Sequence, residues 1–204
     1  MVDLGDTAQP MELLTGPYHA AAFLLLGAGA AKLRRPAATA AVLATLRLPA
    51  SGLVAVVLGA AEIALALAAL FSPAALVALA VAASYLGFAG FVGLAMRRPG
   101  TVSSCGCFGQ TGTPPGAIHL TVNLAAAAAA GLAAAMGVPD GLPAQLAADP
   151  VHTLAVSAVT ALCAWLAALL LTVLPQALRA GSPSQPRSQP TFLPAPVVVQ
   201  DGDR

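Results

Sequence analysis

Five long apolar runs dominate this chain and leave few folds open to it. A helix of about 20 apolar residues crosses the roughly 30 Å hydrocarbon core of a bilayer. Prolines stand at most of the run ends, where helix-breaking residues are expected. The runs are Gly16–Ala31, Gly52–Phe71, Ala74–Met96, Ile118–Gly137 and Val151–Leu174. The pattern predicts an all-α fold, a polytopic membrane bundle of five transmembrane helices.

The composition excludes two broad classes of protein. Of the 204 residues, 58% are hydrophobic and 8% are charged, against about 25% charged in an average soluble domain. Such a chain cannot cover itself with polar surface, so the lipid bilayer is its expected surrounding. The net charge of +1 and the 4% of aromatic residues argue against a nucleic-acid partner, because nucleic-acid binders present basic and aromatic surfaces.

The basic residues predict the orientation of the five spans. All nine follow the first, third or fifth span, which places them on one side of the membrane; they are Lys32, Arg34, Arg35, Arg47, Arg97, Arg98, Arg179, Arg187 and Arg204. The positive-inside rule makes that side cytoplasmic. The N-terminus, with Asp3, Asp6 and Glu12, is then outside and the C-terminus cytoplasmic. A signal peptide begins with a positively charged region, whereas this N-terminus is acidic. We therefore expect the first span to be retained.

Cys105 and Cys107 are the residues most suited to chemistry. They are separated only by Gly106 in the loop between the third and fourth spans, and Phe108 and Gly109 complete the motif. A disulfide between residues two apart is strained, and strained disulfides are the labile, redox-active ones. The pair therefore favours thiol redox chemistry. Two alternatives for the pair stay open: two reduced thiols at an interface, and a site for a soft metal. Two thiolates alone are too few ligands for zinc, so we predict no metal.

Several polar residues within the spans are further candidates. Glu62 lies near the centre of the second span, where a carboxylate is costly unless it is paired or protonated. We expect a hydrogen bond to Tyr85 or Ser84 on the third span. His119 and Asn123 share one face of the fourth span. They could bind the Cys loop, carry protons during thiol exchange, or join two helices.

The remaining cysteine lies in the middle of the fifth span. Cys163 is too deep to reach a surface loop, and we expect it to be a small buried apolar residue.

Three features together resemble the MauE branch of the DoxX-like family of bacterial membrane proteins. They are the segment Gly29–Pro36, Glu62, and the motif Cys105–Gly109 followed by Asn123. The resemblance implies a redox-associated protein of the bacterial inner membrane. For members linked to methylamine utilisation, the resemblance implies a role in maturation of the disulfide-rich small subunit of methylamine dehydrogenase. Two departures are a fifth helix and Val122, where the family often has a basic residue.

The resemblance also suggests a division of the chain. We expect a short acidic segment at 1–15, a four-helix family core at 16–137, a loop and fifth helix at 138–175, and a disordered Pro/Ser-rich tail at 176–204. Between the first two spans, residues 36–49 suggest an amphipathic interfacial helix or a partly helical connector.

The first functional hypothesis is a membrane thiol-disulfide oxidoreductase that uses Cys105 and Cys107 as catalytic residues, with His119 assisting. Its partners would be a protein with thiols or disulfides and a quinone-like electron acceptor. No cofactor motif is present. Disulfides of exported proteins form outside the cytoplasm, so a cytoplasmic Cys loop must re-enter the bilayer or handle reducing equivalents from inside. The alternatives are a non-catalytic assembly scaffold and a small transporter that uses Glu62.

Overall fold

A computed structural model describes residues 9–45, 49–97 and 116–180, and these ranges contain seven α-helices and no strand. The helices are α1 (Gln9–Arg34), α2 (Pro36–Thr45), α3 (Gly52–Phe71), α4 (Ala75–Met96), α5 (Ala117–Met136), α6 (Leu142–Ala148) and α7 (Pro150–Ala180). Five of them, α1, α3, α4, α5 and α7, are long and apolar enough to cross a membrane. The predicted all-α fold with five spans is confirmed.

The largest differences from the predicted spans lie in the first and the last. Helix α1 begins at Gln9 and contains Pro17, and α7 continues through Pro175 to Ala180. Backbone hydrogen bonds do not require apolar side chains, so a helix can extend beyond its apolar run. A proline within a membrane helix is tolerated when neighbouring groups compensate for the missing donor. The sequence prediction placed the helix ends where the apolar runs end. The structure places them where the helical backbone hydrogen bonds end.

Helix α1 is central to the bundle. It packs against α3, α5 and α7, whereas the other extensive contact is between α4 and α5. Because successive spans are antiparallel, the last turn of α1, the start of α3, the end of α4 and the start of α5 meet at one end of the bundle. We call this the basic end, because it carries Lys32, Arg34 and Arg97.

Small side chains build most of the core. Buried alanines from α1, α3, α4 and α5 surround a few larger residues, of which Tyr18, Leu25 and Val81 are fully buried. Lipid offers no hydrophobic drive for helix association, so close packing of small residues must hold membrane helices together. The alanine-rich core fits that requirement.

Helices α1 and α3 cross in close contact. A Cβ atom placed on Gly29 would lie 2.6 Å from the Gly59 carbonyl oxygen, and one on Gly59 would lie 2.9 Å from the Gly29 carbonyl oxygen. Only glycine lets the two backbones approach in this way. The glycines of α4, by contrast, are not packing contacts between described residues: Cβ atoms at Gly87, Gly90 or Gly93 would meet nothing within 4 Å.

Two short helices flank the spans. Helix α2 forms where an interfacial helix was expected, and it turns Thr39 and Val42 inward. Helix α6 occupies a stretch for which only a loop was expected, and Pro143 near its first turn favours the helix start. The tail expected to be disordered lies outside the described residues from 181 onward.

Candidate functional site

Lys32 and Glu62 form an ion pair inside the basic half of the bundle. The Lys32 ammonium donates to Glu62 Oε2 at 2.7 Å, and each side chain is only 4% exposed. Such a short contact between charged groups is a charge-assisted hydrogen bond, which is about twice as strong as a neutral one. Glu62 is therefore compensated by charge, whereas the sequence suggested a neutral hydrogen-bonded carboxyl.

The sequence places the two charges by repeating one short pattern. Gly29-Ala-Ala-Lys32 on α1 matches Gly59-Ala-Ala-Glu62 on α3. In each helix the charged residue follows the glycine by three positions, and so lies on nearly the same face. Where the two glycines cross, the two charged side chains are therefore brought together. This repeat is the signal in the sequence that could have identified the pair.

The pair must be intact to be tolerated at this depth. A single charge in the hydrocarbon region costs several kcal/mol, and removing one partner of a buried pair costs about 3 to 5 kcal/mol because the other charge is left uncompensated. Among the described residues, Glu62 Oε1 has no hydrogen-bond partner. The carboxylate is thus held by one oxygen and keeps the other available.

Two aromatic residues of α4 lie beside the pair. The Lys32 ammonium is 5.2 Å from the centroid of the Phe88 ring, a distance at which a cation is attracted to the ring face. Tyr85 meets Phe88 edge to face with centroids 5.8 Å apart. Its hydroxyl donates to the Ala21 carbonyl at 2.6 Å, which ties α4 to α1.

Phe88 also lines a small, partly open cavity next to His119. Its volume is about 20 Å³, and its lining comes from four helices: Leu24, Ala28, Tyr85, Phe88, His119, Val122, Asn123 and Leu171. A cavity of this size is large enough for one water molecule. The ion pair and the cavity share Phe88. We call Lys32, Glu62, Tyr85, Phe88, His119 and Asn123 the polar centre, in which Phe88 and Asn123 are only partly buried.

The ring of His119 is held by α7, and its backbone carbonyl is bonded by Asn123. The imidazole is 5% exposed and hydrogen-bonds the backbone of Leu171 on α7. Its Nδ1 atom has no hydrogen-bond partner within the described part of the chain. Asn123 donates to the His119 carbonyl oxygen at 2.8 Å, so the amide caps the helix backbone and does not touch the ring. Nδ1 is therefore the ring nitrogen that is open to a further hydrogen-bond partner.

The Cys motif, with Cys105, Gly106, Cys107, Phe108 and Gly109, lies outside the described residues. Its flanks are described: α4 ends at Met96 and α5 begins at Ala117, both at the basic end. His119, in the first turn of α5, is the site residue nearest to the motif along the chain. Chain connectivity therefore anchors the motif's flanks at the end of the bundle that contains the polar centre.

Two expectations about side-chain contacts were wrong. Tyr85 and Ser84 were expected to bind Glu62, but Tyr85 donates to Ala21 and Ser84 donates to the Ala80 carbonyl of its own helix. Cys163 was expected to be buried, but it is exposed on α7. Sequence position gives the depth of a residue in the membrane, but not the direction in which its side chain points.

Fold and site define a multi-pass helical membrane protein with a charged pair and a histidine enclosed in its core. A family model matches residues 12–136 and is described as methylamine utilisation protein MauE. The match covers more than half of the chain and spans α1 to α5, and the chain belongs to this family. Helices α6 and α7 lie beyond the matched region. No curated protein and no solved structure matches the chain.

Proposed function

We propose that this protein is a membrane thiol-disulfide oxidoreductase that helps a partner protein to mature. Cys105 and Cys107 would cycle between dithiol and disulfide. The family match supports a role in methylamine utilisation or a related pathway, and the Cys-Gly-Cys spacing supports a labile disulfide. The partner would be a protein that carries thiols or disulfides of its own.

The observation that carries this proposal is the setting of His119. It lies in the first turn of α5, twelve positions after Cys107 in the sequence, and its ring is buried with Nδ1 lacking a partner among the described residues. A thiol attacks as the thiolate, so thiol exchange needs a nearby group that accepts a proton. A histidine is suited to that task near neutral pH. His119 would assist, while the two cysteines carry the covalent chemistry.

The orientation and the electron acceptor are part of the same proposal. The family resemblance favours the bacterial inner membrane. The positive-inside rule favours an N-terminus outside and a C-terminus in the cytoplasm, which puts the basic end at the cytoplasmic face. Electrons removed from the dithiol would go to a quinone-like acceptor in the bilayer. We also propose the division into a family core and an added fifth span, which is supported by a family match that ends at residue 136.

The test is the redox state of the two cysteines in living cells. Cells carrying Cys163→Ala are quenched in acid, and free thiols are counted by maleimide gel shift with and without prior reduction. A pair that is wholly or partly oxidised supports the proposal, and Cys105→Ser and Cys107→Ser should then abolish function equally. A pair that stays fully reduced even after mild oxidant contradicts it and favours a non-catalytic scaffold.

The ion pair bears on the transporter alternative. A carboxylate that binds a proton or a cationic substrate needs an available oxygen. Glu62 Oε2 is bonded to the Lys32 ammonium, whereas Oε1 has no partner among the described residues, so function must decide between the alternatives. A transporter is contradicted if Glu62→Gln preserves function while the Cys→Ser variants lose it. It is supported by the reverse result.

A further inference from the structure

A large open cleft lies at the end of the bundle opposite to the basic end. Its volume is about 700 Å³, which is within the size range of known ligand pockets. The start of α1, the connection from α5 to α6, α6 itself and the start of α7 form its walls. The family match ends at residue 136, so most of the lining belongs to the part of the chain beyond the matched region.

The lining of the cleft combines negative charge with apolar surface. Asp140 and Asp149 line it and are exposed, and Leu13 and Val156 add apolar side chains. Asp149 Oδ1 accepts a hydrogen bond from the His152 backbone nitrogen at 3.0 Å, which holds this carboxylate at the start of α7. Lysine and arginine side chains lay an aliphatic stem on apolar surface and keep the charged head exposed. The cleft therefore fits side chains of this kind.

The sequence places no lysine or arginine at that end of the bundle. None precedes Lys32, and none lies between Arg98 and Arg179. The basic residues all follow the first, third or fifth span, so those of a second copy inserted in the same way would also lie at the basic end. The N-terminal residues add Asp3 and Asp6, which the carboxylates of the cleft repel. The positive charge that complements the cleft therefore comes from another molecule.

We propose that this cleft docks an extended segment of another protein that carries lysine or arginine side chains. A pocket for a small molecule encloses about 70 to 90% of the ligand surface, whereas this cleft is too open to enclose a small ligand. A peptide segment continues past the opening, so it loses less by being only partly enclosed. The two carboxylates bind its cationic heads, and the apolar side chains of the lining contact the stems. By the positive-inside rule, the segment belongs to a protein outside the cytoplasm.

The cleft is separate from the residues of the proposed redox function. His119 and the flanks of the Cys motif lie at the basic end, whereas the cleft lies between the starts of α1 and α7 at the other end. The inference goes beyond the proposed function and does not rest on it. Binding to the cleft can therefore be measured independently of what the cysteines do.

The test is the binding of a defined basic peptide to the full chain in nanodiscs of zwitterionic lipid, which avoids the attraction of basic segments to anionic lipid. The probe alternates lysine with alanine, is capped at both ends and carries an uncharged fluorophore, and fluorescence anisotropy measures its dissociation constant. Asp140→Asn and Asp149→Asn should each weaken binding about twofold to fivefold, as expected for an exposed ion pair, and the double variant roughly tenfold. Asparagine is as good a helix N-cap as aspartate, so α7 keeps its start.

Gly16→Leu tests the shape of the cleft independently of its charge. A Cβ atom at Gly16, which lines the cleft, would meet nothing within 4 Å, so a leucine there has room and should weaken binding by taking up part of the cleft. Gly90→Leu is the matched control, because its Cβ would also meet nothing within 4 Å but lies on α4, outside the cleft. Asp201→Asn combined with Asp203→Asn controls for net charge. Both controls should leave binding unchanged.

Four results would overturn the proposal. They are no binding of the probe to the unchanged protein, equal binding to the double Asp→Asn variant, equal binding of a peptide with glutamate in place of lysine, and displacement of the probe by an equal concentration of a small aliphatic diamine. The last result would make the cleft a site for small organic cations. If binding depends on the two aspartates while Cys105 and Cys107 stay reduced in cells, the docking cleft stands and the proposed redox function fails. Oxidised cysteines with binding that ignores the aspartates give the reverse conclusion.

Discussion

Lys32 and Glu62 are 30 positions apart in the sequence, yet Lys32 Nζ lies 2.7 Å from Glu62 Oε2 in the core of the bundle. The contact depends on the crossing of two glycines, Gly29 and Gly59, one helical turn away on each helix. Close packing and charge pairing are therefore one feature of the α1–α3 interface. Substitutions at the two glycines should therefore affect the ion pair, and substitutions in the ion pair should affect the helix crossing.

Breaking the ion pair should destabilise the protein more than exchanging its members. Lys32→Met or Glu62→Gln should each lower the free energy of unfolding, with Lys32→Met costing about 3 to 5 kcal/mol because it leaves a buried charge without its partner. The exchanged double variant should recover part of the loss. Thermal unfolding in detergent micelles, followed by circular dichroism, ranks the three variants by stability. A double variant less stable than both single variants would contradict it.

Alanine should have opposite effects at two nearby glycines of α1. Gly29→Ala places a Cβ 2.6 Å from the Gly59 carbonyl oxygen and 2.8 Å from Ile63 Cγ1, so the helices must separate and the ion pair must lengthen. Gly27→Ala meets nothing within 4 Å and should be neutral or stabilising by up to about 1 kcal/mol, as alanine favours the helix. Comparing their unfolding temperatures checks this. Equal loss in both variants would mean that the crossing is not tightly packed.

The number of spans could be predicted from the sequence because it depends on a one-dimensional pattern. Each span is a run of apolar residues long enough for a bilayer, and prolines and charges mark where runs end. Helix α6 was missed because a helix of seven residues carries no such pattern. The end of α7 was missed because Pro175 suggested a stop, although the backbone continues to Ala180.

The site was predictable only in part, since contacts depend on which way each helix turns its side chains. Glu62 stood out as a charge in an apolar run, and His119 stood out by its closeness to the Cys motif. Lys32 looked like an ordinary basic flank of the first span, because hydrophobicity placed the span's end before it. Its burial follows from the length of α1 and from the angle at which α1 crosses α3, and neither can be read from composition.

Cys163 should react with a lipid-soluble thiol reagent while the protein is folded. Its side chain is exposed on α7, on a face that meets lipid if α7 spans the membrane, whereas the neighbouring Ala164 is 5% exposed. A variant that combines Cys163→Ala with Ala164→Cys moves the thiol to the buried face and should label only after unfolding. Both proteins are compared in a background where Cys105 and Cys107 are serine. Equal labelling rates would contradict the observed orientation of α7, in which position 163 is exposed and position 164 is buried.

Two tyrosines of the core should respond differently to loss of their hydroxyl groups. Tyr85 donates to the Ala21 carbonyl at 2.6 Å, so Tyr85→Phe removes a buried hydrogen bond between α4 and α1 and should cost about 0.5 to 1.5 kcal/mol. The Tyr18 hydroxyl is buried with no partner among the described residues, so Tyr18→Phe removes an unsatisfied group and should be neutral or stabilising. Unfolding of the two variants side by side checks the difference. A loss in Tyr18→Phe as large as that in Tyr85→Phe would indicate that a bound water satisfies the Tyr18 hydroxyl.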